Sequence, residues 1–382
     1  MTAPTPPPRS IAIIGAGIIG LSCAIELADR GVEVSLYDRK WPPRGASWAA
    51  AGMLAPAYEA AADAGLHPSL FALCAAGAEA WPSWAQALEA RSGLPSGYHP
   101  GPTLAVAQTE TEVAALDRLF RALEGRDDAA HWYDANLQSL EPALTEHISR
   151  AALLPSDGQA ENRLTLAALL SVVSAHPRIN VIPTAAPLTA ARNGLDHAGQ
   201  DATLITAGWA SGAVQVRTER GPVSLNSFAP SLDRIRPFGG QMLSVEKTAH
   251  SPSHPIRHGD LYVVPKQDRI VIGATTEPDR VLHGIDQDMI EDLRLRAISI
   301  CPGLGDADVI DAWAGVRPGT TDHAPLLGLS QTPNLFLATG HFRNGILLAP
   351  MTARLMADLI LDQRTDPLIA PFAPQLQIAT EV

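Results

Sequence analysis

The most constraining stretch of the chain runs from Ile11 to Asp38, IAIIGAGIIGLSCAIELADRGVEVSLYD. Ile11 to Ile14 is an unbroken apolar run that ends on glycine, the pattern of a strand buried on both faces. It leads into Gly15-Ala16-Gly17-Ile18-Ile19-Gly20, after which apolar residues recur at helical spacing from Leu21 to Leu27. A second strand-like run, Val32 to Tyr37, closes on Asp38, eighteen residues after Gly20. Strand, glycine turn, helix, strand and terminal acid in that order form the dinucleotide fingerprint. Gly15 permits the tight turn, Gly17 lets the backbone approach a pyrophosphate, and Gly20 lets helix and strand pack closely. The N–H groups at the helix start then face the phosphates, and Asp38 accepts hydrogen bonds from a ribose diol.

The rest of the chain narrows the partners. Its 382 residues leave room for two domains, each with its own core. A net charge of −12 argues against a nucleic-acid or anionic-membrane partner, since both call for basic patches. A few local arginines still suffice to hold a small anionic substrate. Cys23, Cys74 and Cys301 form no metal-binding or redox pair by spacing, so no metal site is expected and a reducing compartment is. No apolar run reaches the length of roughly eighteen residues that a membrane span needs. The start, MTAPTPPPRS, is rich in proline and has no apolar h-region, so residues 1–9 read as a short disordered tail rather than a signal peptide. These features predict a soluble, cytoplasmic α/β protein.

Along the chain, Pro42 and Pro43 bar a helix, and small residues crowd from Gly45 to Gly52. That run either seats backbone against a large planar ligand or begins an alanine-rich helix. Helical patterns follow at His67 to Ala90 (with a break or kink at Pro82), Glu110 to Leu123, Leu164 to Ala175, Gln287 to Ile300 and Ile346 to Leu361. Thr189 to Gln200 is polar and irregular, and the chain frays after the last helix. The buried strand Ala202 to Thr206 ends in Ala207-Gly208-Trp209, placing Gly208 at a carboxyl edge of the kind where doubly wound sheets hold ligands. From Arg234 to Thr275, RIRPFGGQMLSVE, LYVVPK and RIVIGAT alternate with turn residues as antiparallel hairpins do. Parallel-sheet units at the start, middle and end, with antiparallel material between, predict a mixed α/β chain of two interleaved domains.

In these motifs the chain resembles the FAD-dependent amine and D-amino acid oxidases, and within them the glycine oxidases of thiamine biosynthesis. The resemblance covers roughly residues 10 to 365. It rests on the fingerprint 15–20 and on GASWAAAGMLAP (45–56), AGWASG (207–212), GGQMLSVE (239–246), LYVVPK (261–266), AWAGVRPGT (312–320) and GHFRNGILLAP (340–350). It implies a Rossmann-like FAD-binding domain over 10–85, 150–220 and 315–365, interleaved with an antiparallel-sheet substrate domain over 86–149 and 221–314. Ile18 and Ile19 would sit at the pyrophosphate, Asp38 and Arg39 at the adenosine ribose, and Ala46, Ser47, Ala51, Gly52 and Met53 along the ribityl chain and ring. Pro187 would make a backbone contact to adenine, where valine is usual. Gly340, His341, Phe342, Arg343, Asn344, Gly345, Ile346 and Leu347 would surround the pyrimidine end. A helix start near Ile346 together with Arg343 would favour negative charge on a reduced flavin.

As bare residues, Arg317 reads as an ion-pair partner and Tyr262 as an ordinary strand residue. Inside WAGVRPGT and LYVVPK, the resemblance makes them the clamp for a substrate carboxylate, while Arg343 touches substrate or flavin. A guanidinium grips a carboxylate through two parallel hydrogen bonds and a phenol adds a third. The reaction so implied is hydride transfer from Cα of glycine, sarcosine or a small D-amino acid to flavin N5. The products would be an imine that hydrolyses to a keto acid and ammonia, and hydrogen peroxide from oxygen. A D-amino acid or amine dehydrogenase passing electrons to another carrier is the alternative. The resemblance also implies a homo-oligomer. Thr276 replaces a bulkier apolar residue near the substrate, and His323 replaces a glycine after the RPGT turn. Cys301 lies outside RPGT, so non-covalent FAD is expected.

Overall fold

The structure, a computed structural model, describes residues 6–61, 67–124, 129–133, 135–192 and 194–374. The fingerprint folds as strand Ser10–Ile14, helix Ile18–Asp29 and strand Glu33–Tyr37. Ser10–Ile14 pairs in parallel with Glu33–Tyr37 on one side and with Ala202–Ile205 on the other. Ile179–Ile182 extends the sheet beyond Glu33–Tyr37, Leu335–Thr339 extends it beyond Ala202–Ile205, and antiparallel Leu326–Leu329 closes that edge. Strand order therefore reverses between Ser10–Ile14 and Ala202–Ile205, and a crevice opens at their carboxyl ends.

Helix Ile18–Asp29 is apolar on most of its surface because it is covered on most sides. It shares one core with helices Leu70–Ser92, Asn162–Ala175 and Gly345–Asp362, in which Leu21, Leu27, Trp81, Leu169 and Met356 are buried. Pro82 does not break Leu70–Ser92: it lies on the exposed side, while its neighbour Trp81 donates its indole N–H to the Leu347 carbonyl (3.0 Å).

The second sheet has nine strands among the described residues. Arg236–Glu246 is a long strand near one edge, paired with Arg269–Gly273 on one side and along its length with Val309–Gly319 on the other. Leu261–Pro265, Ile256–His258, Thr103–Ala107 and Arg150–Leu154 continue it outward. Helix Gln287–Ile300 covers one face, packing Ile290, Leu293 and Ala297 with Leu243, Val245 and Ile270.

Several expected borders move. Arg150–Leu154 pairs with Thr103–Ala107, and Val309–Gly319 runs unbroken past residue 315, so both segments belong to the second sheet. Residues 86–92 complete helix Leu70–Ser92 on the dinucleotide side. There too Leu225, Ala229 and Leu232 pack with Ile14 and Leu337, drawing in the segment after Gly221. The stretch from Thr189 is not irregular: Thr189–Ala191 and Gly194–Asp196 pair as a hairpin in a small sheet with Gln215–Thr218 and Gly221–Ser224. The chain does not fray directly after Asp362, because Ile369 and Phe372 are buried in the main core. Of the expected tail, residues 1–5 lie outside the described residues, and the Arg9 N–H already donates to Asp201 Oδ2 (2.8 Å). Among the described residues no helix is long and apolar enough to cross a membrane.

Candidate active site

One cleft of about 510 Å³ runs from the first glycine turn to the inner face of the second sheet. Its floor is set by glycine. Gly15 has φ +108°, and a Cβ there would stand 2.6 Å from the Ala207 backbone, so only glycine lets the two strand ends approach this closely. Gly20 lies beneath the turn rather than in the cleft, where a Cβ would stand 1.9 Å from the Gly15 carbonyl oxygen. Gly17, Ile18, Ile19 and Gly208 line the cleft. The Ile18 N–H is already engaged by the Ser47 hydroxyl (3.0 Å), which reaches it across the bare Cα of Gly17.

Asp38 and Arg39 line the far end. Asp38 accepts from the Ala16 and Lys40 N–H groups (2.8 Å each), one through each carboxylate oxygen, so the turn is braced by the same acid expected to meet the ribose. Pro187 is exposed and lies outside the lining, because its neighbours Ala185 and Ala186 are the residues turned into the cleft.

Along the middle, Ala46, Ser47, Ala51, Gly52 and Met53 line one wall. The run is a helix only briefly: Ala46–Ala49 forms a single helical turn, and Ala50 returns to extended backbone. The Asn162 amide fixes that turn by donating to the Ser47 and Trp48 carbonyls (2.7 and 3.0 Å).

The opposite wall is the loop before helix Gly345–Asp362. His341, Phe342, Arg343, Gly345 and Ile346 reach the cleft, whereas Gly340, Asn344 and Leu347 are held behind it. Gly340 takes φ +80° to make the turn, and the Leu347 carbonyl faces Trp81. The helix start carries no acidic residue in its first turn and no side-chain cap from Asn344, so its N–H groups and partial positive charge are free to act on a ligand. The Phe342 N–H donates to the Pro318 carbonyl (2.7 Å), tying this loop to the strand that carries Arg317. The Phe342 ring stacks on His323 (centroids 4.2 Å apart), so the residue standing in place of a glycine supports this wall.

His341 is buried, with Nε2 beside the Thr352 hydroxyl (3.1 Å). Burial pushes its pKa from 6.5 down to about 3. Between those values the unfolded chain binds a proton that the folded chain refuses. The stability this neutral ring contributes is complete above pH 6.5 and is lost as pH falls, by up to about 1.4 kcal/mol per pH unit. His341→Gln, which keeps a partner for Thr352, is expected to flatten the acid limb of a Tm-against-pH curve. An unchanged limb would show that other groups set it.

At the second sheet the cleft becomes cationic. Arg317 lies over Gly240, where a Cβ would stand 2.3 Å from its guanidinium, and its Nη1 donates to the Gly239 and Thr275 carbonyls (3.3 and 3.2 Å). Among the described residues no carboxylate lies within ion-pair distance of it. Burial lowers its pKa, opposed by the Tyr262 phenol and reinforced by the positive charge of Arg343. Tyr262 lines the same chamber, its ring lying over Gly273.

Sequence reasoning missed Glu59, Arg257 and Asp260, which also line this end. Arg257 is 3% exposed, pairs with Glu59, and has its guanidinium 4.5 Å from the Tyr58 ring centre. A signal was available: in PIRHGDLYVV a tight turn at Gly259-Asp260 sets Arg257 directly opposite Tyr262, and the sheet shows that register. Glu59 had none, since its position depends on Asp157 holding the Ala57 and Tyr58 N–H groups (3.0 Å each) from a distant turn.

A glycine-floored groove at a switch point, with a helix start at either end and, among the described residues, no carboxylate seated at the second, fits FAD and marks the protein as a flavin-dependent oxidoreductase. The chain belongs to the family described as DAO, FAD dependent oxidoreductase, which matches residues 10–359. It is 34% identical over 373 residues to the bifunctional protein ThiO/ThiG of Nostoc sp., covering 95% of this chain and 54% of that protein. It is 30% identical to the glycine oxidase of Geobacillus kaustophilus over 95% of this chain and 96% of that one. The crystal structure of glycine oxidase from the same organism superposes with a TM-score of 0.83 at 27% identity, covering 98% of this chain and all of that one. The chain spans about half the length of the ThiO/ThiG relatives it matches.

Proposed function

We propose that the protein catalyses oxidative deamination of glycine, sarcosine or small D-amino acids with oxygen as acceptor, as an enzyme of the glycine oxidase type. The observation that carries this reading is the placement of Arg317 and Tyr262 in one chamber where the dinucleotide cleft meets the second sheet. FAD, when bound, supplies the acceptor for the hydride leaving the substrate α-carbon. Arg317 and Tyr262 hold the α-carboxylate and so fix the orientation of that carbon, which is a large part of what such a reaction needs. The apolar wall at Met242 and Ala274 holds back water, and the half-buried setting of Arg317 strengthens its grip on an anion. The amine loses its proton before transfer, since an ammonium group cannot release hydride from its carbon. The ThiO name among the relatives supports a place in thiamine biosynthesis.

Flavin-loaded protein given glycine, sarcosine or D-alanine in air is expected to release peroxide and ammonia. If the flavin bleaches without air but no peroxide forms in air, the acceptor is another carrier. If no amine bleaches it, the reading fails. Removing one hydrogen bond to a charged group costs about 1.5–3 kcal/mol, so Tyr262→Phe is expected to raise KM tenfold or more while the flavin content stays constant. An unchanged KM would take Tyr262 out of the clamp.

A further inference from the structure

We propose that the substrate end of the cleft holds a second anion subsite, formed by Arg257 and Arg343 on either side of Glu59. It would make amino acids carrying a second carboxylate better substrates than their neutral counterparts. This rests on the amino acid reading of the cleft, with Arg317 and Tyr262 taking the α-carboxylate.

The chamber is built around one shared acid. Glu59 Oε1 pairs with Arg257, and its Oε2 lies 3.5 Å from Arg343 Nη1. Arg343 also donates from Nη2 to the Thr276 hydroxyl (3.0 Å), so its partly solvent-exposed guanidinium is held at the mouth of the cleft by two partners. Arg257 lines the cleft at 3% exposure, and its Nε has no hydrogen-bond partner among the described residues. A single Arg257–Glu59 pair would be enough to bury Arg257. Arg343 is an additional cation drawn to an acid already in use.

The charges do not balance. Among the described residues, Arg257 and Arg343 pair with Glu59 and Arg317 has no acid within ion-pair distance, while Asp260 of the cleft lining is paired with Arg296. Those four cations against two anions leave two positive charges among the described residues. The α-carboxylate of glycine cancels one. The charge of Arg343 also disfavours the charged forms of both Arg257 and Arg317, so the cluster lacks a further anion. Thr276, which lines the same end of the cleft, offers a hydroxyl beside Arg343 that could donate to it. The matching substrate bears its second carboxylate on the nitrogen, as in an N-carboxymethyl amine, or on a short D side chain.

The test compares pairs of amines on flavin-loaded protein at low salt: iminodiacetate against sarcosine, and D-aspartate against D-alanine. One further charge pair in a partly buried site corresponds to about tenfold, so the dicarboxylate is expected to lead in kcat/KM by about that factor in at least one pair. The pair that responds tells whether the nitrogen or the side chain carries the second acid. Arg343→Gln is expected to bring the ratio to about one, and Glu59→Gln to raise it several-fold. A wild-type ratio of one or less in both pairs, or a ratio that Arg343→Gln leaves in place, overturns the proposal. Glu59→Gln strands the buried charge of Arg257, so a second measurement avoids it. Malonate and acetate are titrated into the wild-type holoprotein and into Arg343→Gln, following the visible flavin spectrum. Malonate is expected to bind about tenfold tighter in the wild type only. This titration still decides the question if no amine is turned over, an outcome that would refute the oxidase reading instead.

Discussion

In flavin-loaded protein, Arg317→Ala is expected to lower kcat/KM for the amino acid substrate about a thousandfold, mostly through KM, with the flavin retained. Truncating one partner of a buried, hydrogen-bonded charge pair costs about 2–5 kcal/mol, and each 1.4 kcal/mol is a factor of ten. Arg317 sits at the upper part of that range because, among the described residues, no carboxylate competes for it. Its own contacts are the Gly239 and Thr275 carbonyls, and no carboxylate would be left stranded by its loss. Arg317→Lys keeps the charge but loses the fork, and should recover only part of the effect. Steady-state kinetics with glycine and the ratio of visible to ultraviolet absorbance provide the check. A KM that does not move would place the carboxylate elsewhere and remove the main support for amino acid oxidation.

Gly20→Ala is expected to abolish folded, yellow protein. The new Cβ would stand 1.9 Å from the Gly15 carbonyl oxygen and 2.7 Å from Thr206 Oγ1, and that hydroxyl donates to the same carbonyl (2.6 Å). These are atoms of the turn and its brace, not the ends of mobile side chains, so relief requires the helix to leave the sheet. A cost above about 4 kcal/mol is in the range that unfolds domains of ordinary stability. Gly17→Ala gives the contrast. Its Cβ meets only Ser47 Oγ, at 3.3 Å, so the apoprotein should keep its Tm while flavin is lost. If Gly20→Ala purifies yellow with an unchanged melting curve, the close packing described here is wrong.

The dinucleotide unit was legible because its signals are local. Glycines at fixed spacing, an unbroken apolar strand and a terminal acid determine one another within thirty residues, and helix Ile18–Asp29 follows directly. The long helices Gln287–Ile300 and Gly345–Asp362 were legible for the same reason, their apolar faces recurring along one segment. What sequence could not place was anything decided by a distant partner. Arg150–Leu154 reads as a short apolar run of either domain until Thr103–Ala107 is set beside it. The weakly apolar Thr189–Ala191 is a strand only because Gly194–Asp196 pairs with it. In the site, Arg317 and Tyr262 were visible through their motifs. Glu59 and Arg257 come from segments nearly two hundred residues apart, and their pairing exists only in three dimensions.

The hydrogen bond from Phe342 to Pro318 joins the ring-side loop to the residue next to Arg317. On the proposed reading, cofactor seat and carboxylate grip are therefore joined parts. A ligand that steadied the loop would also steady the guanidinium, and the reverse would hold to the same factor, because coupling between two binding events is reciprocal. A tightly held carboxylate would then slow the escape of the cofactor, and an enzyme kept supplied with its substrate would be the one that stays loaded.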